Sequence, residues 1–137
     1  MSGHLLDVNV LLALAWPNHQ FHASARNWLK REGAKGWWTC AITELGFVRL
    51  SCNPTFTPNP RTPDEALLLL QALTERKGHR YLGELPPVTE TVPSGRLLGH
   101  RQTTDTYLLG LAKARKLTLA TFDTHLQRLG ALILKPQ

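Results

Sequence analysis

Short apolar segments alternate with segments of helical periodicity along the chain, and this alternation limits the possible folds more than any other feature. The predicted strands are His4–Val8, Trp37–Cys40, Tyr81–Leu85, Leu117–Thr121 and Ala131–Leu134. A strand that is followed by a helix and then by another strand pairs in parallel through a crossover. The chain shows no hairpin signal and no internal repeat. We therefore expect one domain over residues 1–137, a three-layer α/β fold with helices flanking a mostly parallel central sheet.

Apolar residues recur at helical spacing between the predicted strands. The fourth helix has the clearest start, because Thr62, Pro63 and Glu65 match a capping box with proline at the first helical position. The apolar run Ala66–Leu73 covers nearly every side of this helix, which predicts burial on more than one side. The helices are predicted at Asn9–Trp16, His19–Glu32, about Ala41–Cys52, Pro63 to before Gly78, Thr104–Lys116 and Asp123–Leu129, with loops at Asn53–Arg61 and Pro86–Arg101.

The charge of the chain favours a polyanionic partner. Sixteen Lys and Arg against ten Asp and Glu give a net charge of +6 and an isoelectric point near 9.8. The best apolar stretch, Val10–Trp16, is far shorter than the roughly 20 residues that cross a membrane. Since the N-terminus also lacks the positive charge of a secretory signal, we expect a cytoplasmic protein. Two cysteines, Cys40 and Cys52, are too few for a disulfide scaffold or a thiolate zinc site.

Four acidic residues stand alone in apolar surroundings. Asp7 is the only charged residue among the first 25, and Glu44 is the only one from Gly36 to Val48. The other two isolated acids are Asp105 and Asp123. A carboxylate among buried elements costs several kcal/mol unless it is hydrogen-bonded, paired or bound to a metal. None of the four has a Lys or Arg within three residues in sequence, so these acids are the candidate functional residues.

The predicted topology brings the four acids to one edge of the sheet. Asp7 ends the first strand, and Glu44 opens the helix that follows the second. Asp105 starts a helix that runs away from this edge, and the next strand returns to it before Asp123. The carboxyl ends of parallel strands are where α/β proteins bind ligands. We therefore expect all four carboxylates to converge there.

Carboxylate oxygens are the donors that Mg²⁺ and Mn²⁺ prefer. The one histidine pair with helical spacing, His19 and His22, lacks a third ligand for zinc. Bound Mg²⁺ can orient a phosphodiester, activate a water and stabilise the leaving oxygen without a nucleophilic side chain. In a basic protein, this chemistry favours phosphodiester hydrolysis.

Four segments in order carry a resemblance to a known family. They are LLDVNVLL at Leu5–Leu12, ITELGFVRL at Ile42–Leu50, TTDTYLLGLA at Thr103–Ala112 and LATFD at Leu119–Asp123. With an acid at the expected place in each, the chain resembles the PIN-domain ribonucleases and, within them, the VapC-type toxins of bacterial toxin–antitoxin pairs.

This resemblance implies a Mg²⁺- or Mn²⁺-dependent endoribonuclease that forms homodimers and is neutralised by a cognate VapB-type antitoxin. It implies a metal site of Asp7, Glu44, Asp105 and Asp123, with hydrogen-bonding support from Asn9, Thr43 and Thr121. The chain departs from the family pattern in two places. Val8 stands where many relatives carry a small hydroxyl residue, and no further acid follows Asp123. The number of metal ions, one or two, is therefore left open.

Structural roles compete with this interpretation. Asp123 is also a reasonable helix N-cap, and the helix dipole favours Asp105 in a first turn with or without a metal. Arg96 and Arg101 are candidates to bind RNA phosphates, because their loop leads into Asp105. The alternative to a nuclease is a non-catalytic RNA- or protein-binding module of the same fold, and a metal-dependent DNase or phosphatase is a third option.

Overall fold

A parallel sheet forms the centre of the computed structural model, which describes residues 2–92 and 103–135. Within these residues the strands are β1 (His4–Leu6), β2 (Trp37–Cys40), β3 (His79–Leu82), β4 (Thr118–Thr121) and β5 (Leu132–Ile133). They lie in the order β3-β2-β1-β4-β5, and every neighbouring pair is parallel. The predicted α/β fold is therefore confirmed, and the carboxyl ends of all these strands share one edge.

Helices cover both faces of the sheet. They are α1 (Val8–Ala15), α2 (His22–Glu32), α3 (Ala41–Ser51), α4 (Pro63–Thr74), α5 (Val88–Thr91) and α6 (Thr103–Ala114), with short 3-10 helices at Gly33–Lys35 and Thr124–Leu129. Successive strand residues point to opposite faces. Leu6 and Trp37 pack with residues of α1 to α4, whereas Leu5 and Trp38 pack with residues of α6. These two apolar clusters produce the predicted three layers.

Four strands begin or end away from their predicted limits, most clearly β1 and β3. The first strand was predicted to reach Val8, but it ends at Leu6 because the backbone carbonyl of Asp7 already accepts helical hydrogen bonds from Val10 and Leu11. The third strand was predicted to begin at Tyr81, but it begins at His79, which pairs with Trp37. The start of α1 thus sets the first limit. Tertiary pairing, which a local pattern does not contain, sets the second.

Helix α4 is buried on one side, so the predicted burial on more than one side is wrong. Its capping box is confirmed, since Thr62 and Glu65 exchange the expected hydrogen bonds. Leu70 is buried, but Leu67 is 52% exposed and Leu68 is 66% exposed in the single chain. Only one face of the helix has a packing partner in the part of the chain that the structure describes.

The predicted loop Pro86–Arg101 contains the short helix α5. Residues 93–102 lie outside the described part of the chain, so Arg96 and Arg101 do too. None of the helices in residues 2–92 and 103–135 is long and apolar enough to cross a membrane.

Candidate active site

Asp7 lies at the junction of β1 and α1, where it caps the helix. Its Oδ1 accepts a hydrogen bond from the backbone N–H of Val8 (2.8 Å), and its Oδ2 accepts one from the Thr121 hydroxyl (2.8 Å). Only 6% of the residue is exposed. Burial raises the pKa of Asp7, and the charge of Asp123 raises it further, whereas the bonds from Thr121 and Val8 lower it. The two hydrogen bonds thus hold the carboxylate in one orientation. Burial and the nearby charge of Asp123 both disfavour its ionised form.

The buried hydroxyl of Thr121, the last residue of β4, connects the ends of the two central strands. It donates to Asp7 and accepts from the Asn9 side-chain N–H (3.0 Å) and from the Asp123 backbone N–H (3.1 Å). The Asn9 side-chain oxygen in turn accepts from the backbone N–H of Phe122 (3.1 Å). These bonds hold the start of α1 against the segment that carries Asp123.

Asp105 and Asp123 lie close enough to Asp7 to interact with it electrostatically. Asp105 is in the first turn of α6, and its pKa is raised to about 6 by burial and then by the charges of Asp7 and Asp123. Asp123 caps the 3-10 helix at Thr124–Leu129 and accepts from the backbone N–H of His125 (3.0 Å). Three carboxylates that repel one another at the carboxyl edge of the sheet form an acidic cluster, which we call the aspartate triad.

Glu44 is held by a separate set of contacts. The buried Thr39 hydroxyl donates to Glu44 Oε2 (2.6 Å) and lies 2.8 Å from Nε2 of His79. Burial lowers the pKa of His79, and the charge of Glu44 opposes this shift. Among the described residues, Glu44 is not one of the groups whose charge raises the pKa of Asp7 or Asp105. It shares the edge with the aspartate triad by its position after β2, but its contacts run toward β2 and β3.

Thr43 is engaged with the backbone at the start of α3. Its hydroxyl donates to the Cys40 carbonyl (3.1 Å) and accepts from the Cys40 N–H (3.1 Å). This is a helix-capping role, which differs from the support of a carboxylate that the family resemblance implies.

The composition of the aspartate triad suits a hard divalent cation. Its donors are carboxylate oxygens, and a cation between them would relieve the repulsion that, together with the larger effect of burial, raises the pKa of Asp105. Within residues 2–92 and 103–135, no three His, Cys, Asp or Glu side chains are arranged so that they could hold a metal ion. The chemistry and charge of the triad thus fit a metal, and its side chains would have to adjust to bind one.

A cavity of the described chain lies away from these acids. It has a volume of about 1130 Å³ and is lined mainly by the loop between α1 and α2, the loop between α3 and α4, and residues of α4, including Trp16, Phe56 and Leu68. None of the four isolated acids lines it. The candidate site is therefore identified by the charges and hydrogen bonds of the acids, and not by this cavity.

Comparison with known proteins agrees with the fold. The family model of the PIN domain matches residues 4–132. Ribonuclease VapC38 of Mycobacterium tuberculosis is 45% identical over 120 residues, which are 87% of this chain and 84% of that protein. The chain therefore belongs to the PIN-domain family, in its VapC branch.

Solved structures share this fold at lower identity. VapC20 of Mycobacterium tuberculosis, a toxin that cleaves the sarcin-ricin loop, aligns with a TM-score of 0.69 and 12% identity over 96% of this chain and 98% of its own. VapBC2 of Rickettsia felis, solved with a DNA fragment from its promoter, aligns with a TM-score of 0.63 and 16% identity over 98% of both chains. These likenesses establish the fold independently of the sequence match.

The pKa of Asp105 predicts how the stability of the metal-free protein depends on pH. The folded protein keeps this proton up to a pH of about 6, whereas the unfolded chain releases it near 3.8. The folded state thus binds more protons between these values, so the free energy of unfolding is expected to decrease as pH rises through this window. Asp105→Asn should flatten this decrease.

Urea unfolding at several pH values between about 4 and 7 measures this dependence. Asp64→Asn is the matched control, because Asp64 is exposed in the first turn of α4 and lies outside the aspartate triad. An Asp105→Asn protein with the same pH dependence as wild type would contradict the electrostatic coupling.

Proposed function

We propose that this chain is a Mg²⁺- or Mn²⁺-dependent endoribonuclease and the toxin of a toxin–antitoxin pair. The observation that carries the proposal is the aspartate triad, which collects three repelling carboxylates at the carboxyl edge of a PIN fold. The VapC38 relative, named a ribonuclease, supports RNA as the substrate. A net charge of +6 favours attraction of the RNA backbone.

Asp7, Asp105 and Asp123 would hold the cation, and Glu44 is proposed as the fourth ligand from the family resemblance. When bound, Mg²⁺ or Mn²⁺ orients the scissile phosphate, activates a water and stabilises the leaving oxygen. The Thr121 hydroxyl, which itself accepts from the Asn9 side chain, keeps the Asp7 carboxylate fixed. The N–H of His125 does the same for Asp123.

The partners are proposed from the family. VapC proteins belong to toxin–antitoxin pairs, and the VapBC2 structure has the same fold as this chain. We therefore propose a VapB-type antitoxin as the cognate partner and a homodimer as the assembly. Arg96 and Arg101 stay proposed phosphate contacts, because they precede Asp105 in sequence.

Cleavage of cellular RNA by the purified, antitoxin-free protein tests this function. We expect discrete fragments with Mg²⁺ or Mn²⁺ and intact RNA with EDTA, because hydrolysis needs the cation. RNA binding is measured in parallel in EDTA. A protein that binds RNA equally well in EDTA and in Mg²⁺, and that cleaves it in neither, would instead be the non-catalytic binding module.

A further inference from the structure

Three polar side chains form a continuous hydrogen-bonded row that ends at Glu44. Nε2 of His79 lies 2.8 Å from the Thr39 hydroxyl oxygen, and this hydroxyl donates to Glu44 Oε2 at 2.6 Å. Thr39 is completely buried, and His79 and Glu44 are half-buried. The parallel pairing of β2 and β3 brings His79 to Thr39, although the two residues are 40 positions apart in sequence. Glu44 belongs to one of the motifs that carry the family resemblance, whereas Thr39 and His79 lie outside all four.

The single proton of the Thr39 hydroxyl sets the direction of the row. An ionised carboxylate only accepts hydrogen bonds, so the Thr39 hydroxyl donates its hydrogen bond to Glu44. The Thr39 oxygen is then an acceptor for His79, whose Nε2 must carry a hydrogen. The order of donation is thus from His79 to Thr39 and from Thr39 to Glu44.

The histidine ring is itself held in place by a neighbouring aromatic residue. The rings of His79 and Trp37 lie with centroids 4.7 Å apart at an interplanar angle of 57°. The Trp37 indole N–H donates to the Lys77 carbonyl (3.1 Å), which fixes the segment immediately before β3. The row therefore starts from a constrained donor.

We propose that His79 is a positioning residue that orients Glu44 for the divalent cation through Thr39. This inference rests on the proposed function. The bond from Thr39 engages Oε2 and leaves Oε1 without a hydrogen-bond partner in the described part of the chain. Hydrogen-bonded partners of this kind orient metal-binding carboxylates and affect metal affinity by about 10- to 100-fold. Glu44 follows β2 and so lies at the same sheet edge as Asp7, which follows β1.

Mn²⁺ binding to the metal-free protein, measured by calorimetry, tests the role of His79. His79→Leu and Thr39→Val are each expected to weaken Mn²⁺ binding by about 10- to 100-fold. His79→Gln keeps an amide N–H near the position of Nε2 and should restore most of the affinity. His79→Asn is its matched control, because its shorter amide does not reach Thr39 and should not restore it.

A double-mutant cycle separates positioning from a general effect on the fold. In a Glu44→Gln background, His79→Leu should cause no further loss of Mn²⁺ affinity, because the carboxylate that it orients is already gone. Equal losses in both backgrounds would overturn the proposal. If the His79→Leu protein does not fold, His79→Gln and His79→Asn give the same comparison of Mn²⁺ affinity in the wild-type and Glu44→Gln backgrounds.

NMR of the histidine ring tests the row without a metal. Wild-type His79 should show a protonated Nε2, and Thr39→Val should shift its resonance. An unprotonated Nε2 in wild type would overturn the proposal.

Unchanged Mn²⁺ affinity in His79→Leu, beside lost affinity in Asp7→Asn, would overturn the proposed role of His79 but not the proposed function. Absence of Mn²⁺ binding by wild type would overturn both.

Discussion

Asp7→Asn is expected to abolish metal-dependent RNA cleavage while leaving the protein folded. The carboxylate is one of three that would hold the cation, and its orientation is fixed by bonds from Val8 and Thr121. Because even the hydrogen-bonded partners of metal ligands affect activity by about 10- to 100-fold, loss of a ligand should exceed about 100-fold. RNA cleavage at saturating Mn²⁺ measures this loss.

The same substitution should change the free energy of unfolding of the metal-free protein by less than about 1 kcal/mol. Asparagine removes a buried charge whose pKa is raised by burial, and this gain offsets the weakened bond with Thr121. The control is Asp64→Asn, which changes an exposed acid in α4 and should cleave RNA as wild type does. A folded Asp7→Asn protein with wild-type cleavage would show that the aspartate triad is not the active site.

Thr121→Val is expected to lower both stability and cleavage. Valine has nearly the same shape but no hydroxyl, so Asp7 loses a donor while Asn9 and the Asp123 N–H lose an acceptor. Leaving such buried groups unpaired costs about 1–3 kcal/mol. Because Asp7 and Asp123 are no longer tied together, cleavage should fall by about 10- to 100-fold.

Thr118→Val makes the same chemical change at the exposed start of the same strand. Thr118→Val should leave stability and RNA cleavage near those of wild type, since a solvent-exposed hydroxyl has no buried partner to lose. Chemical unfolding and RNA cleavage of the two variants are measured side by side. Equal effects at the two positions would mean that the hydrogen bonds of Thr121 do not support the site.

The layered fold was predictable because its signals are local. The capping box at Thr62 and Glu65 satisfies helix-end donors with neighbouring residues, so it is visible in sequence and confirmed in the structure. Strand limits depend on pairing between distant segments. His79 enters β3 because Trp37 lies opposite, and the helical pattern around Leu67 and Leu68 does not reveal which faces find a partner.

The acids of the candidate site could be predicted, because a charged residue isolated in an apolar segment indicates a functional role. Asp7, Asp105 and Asp123 stand alone in apolar segments, and their mutual electrostatic effects place them near one another. The roles of His79 and Thr39 could not be predicted, since a single histidine or threonine carries no spacing signal. The turn from β2 into α3 brings Thr39 to Glu44, and only the register of β2 and β3 brings His79 to Thr39.

The location of bound Mn²⁺ is the most direct test of the proposed metal centre. Crystals of the protein grown with Mn²⁺ would show the ion by its anomalous scattering. We expect a peak between the carboxylates of Asp7, Asp105 and Asp123, with Glu44 Oε1 turned toward it. Full occupancy of a site elsewhere, or no peak at saturating Mn²⁺ in protein that cleaves RNA, would contradict the assignment of these residues.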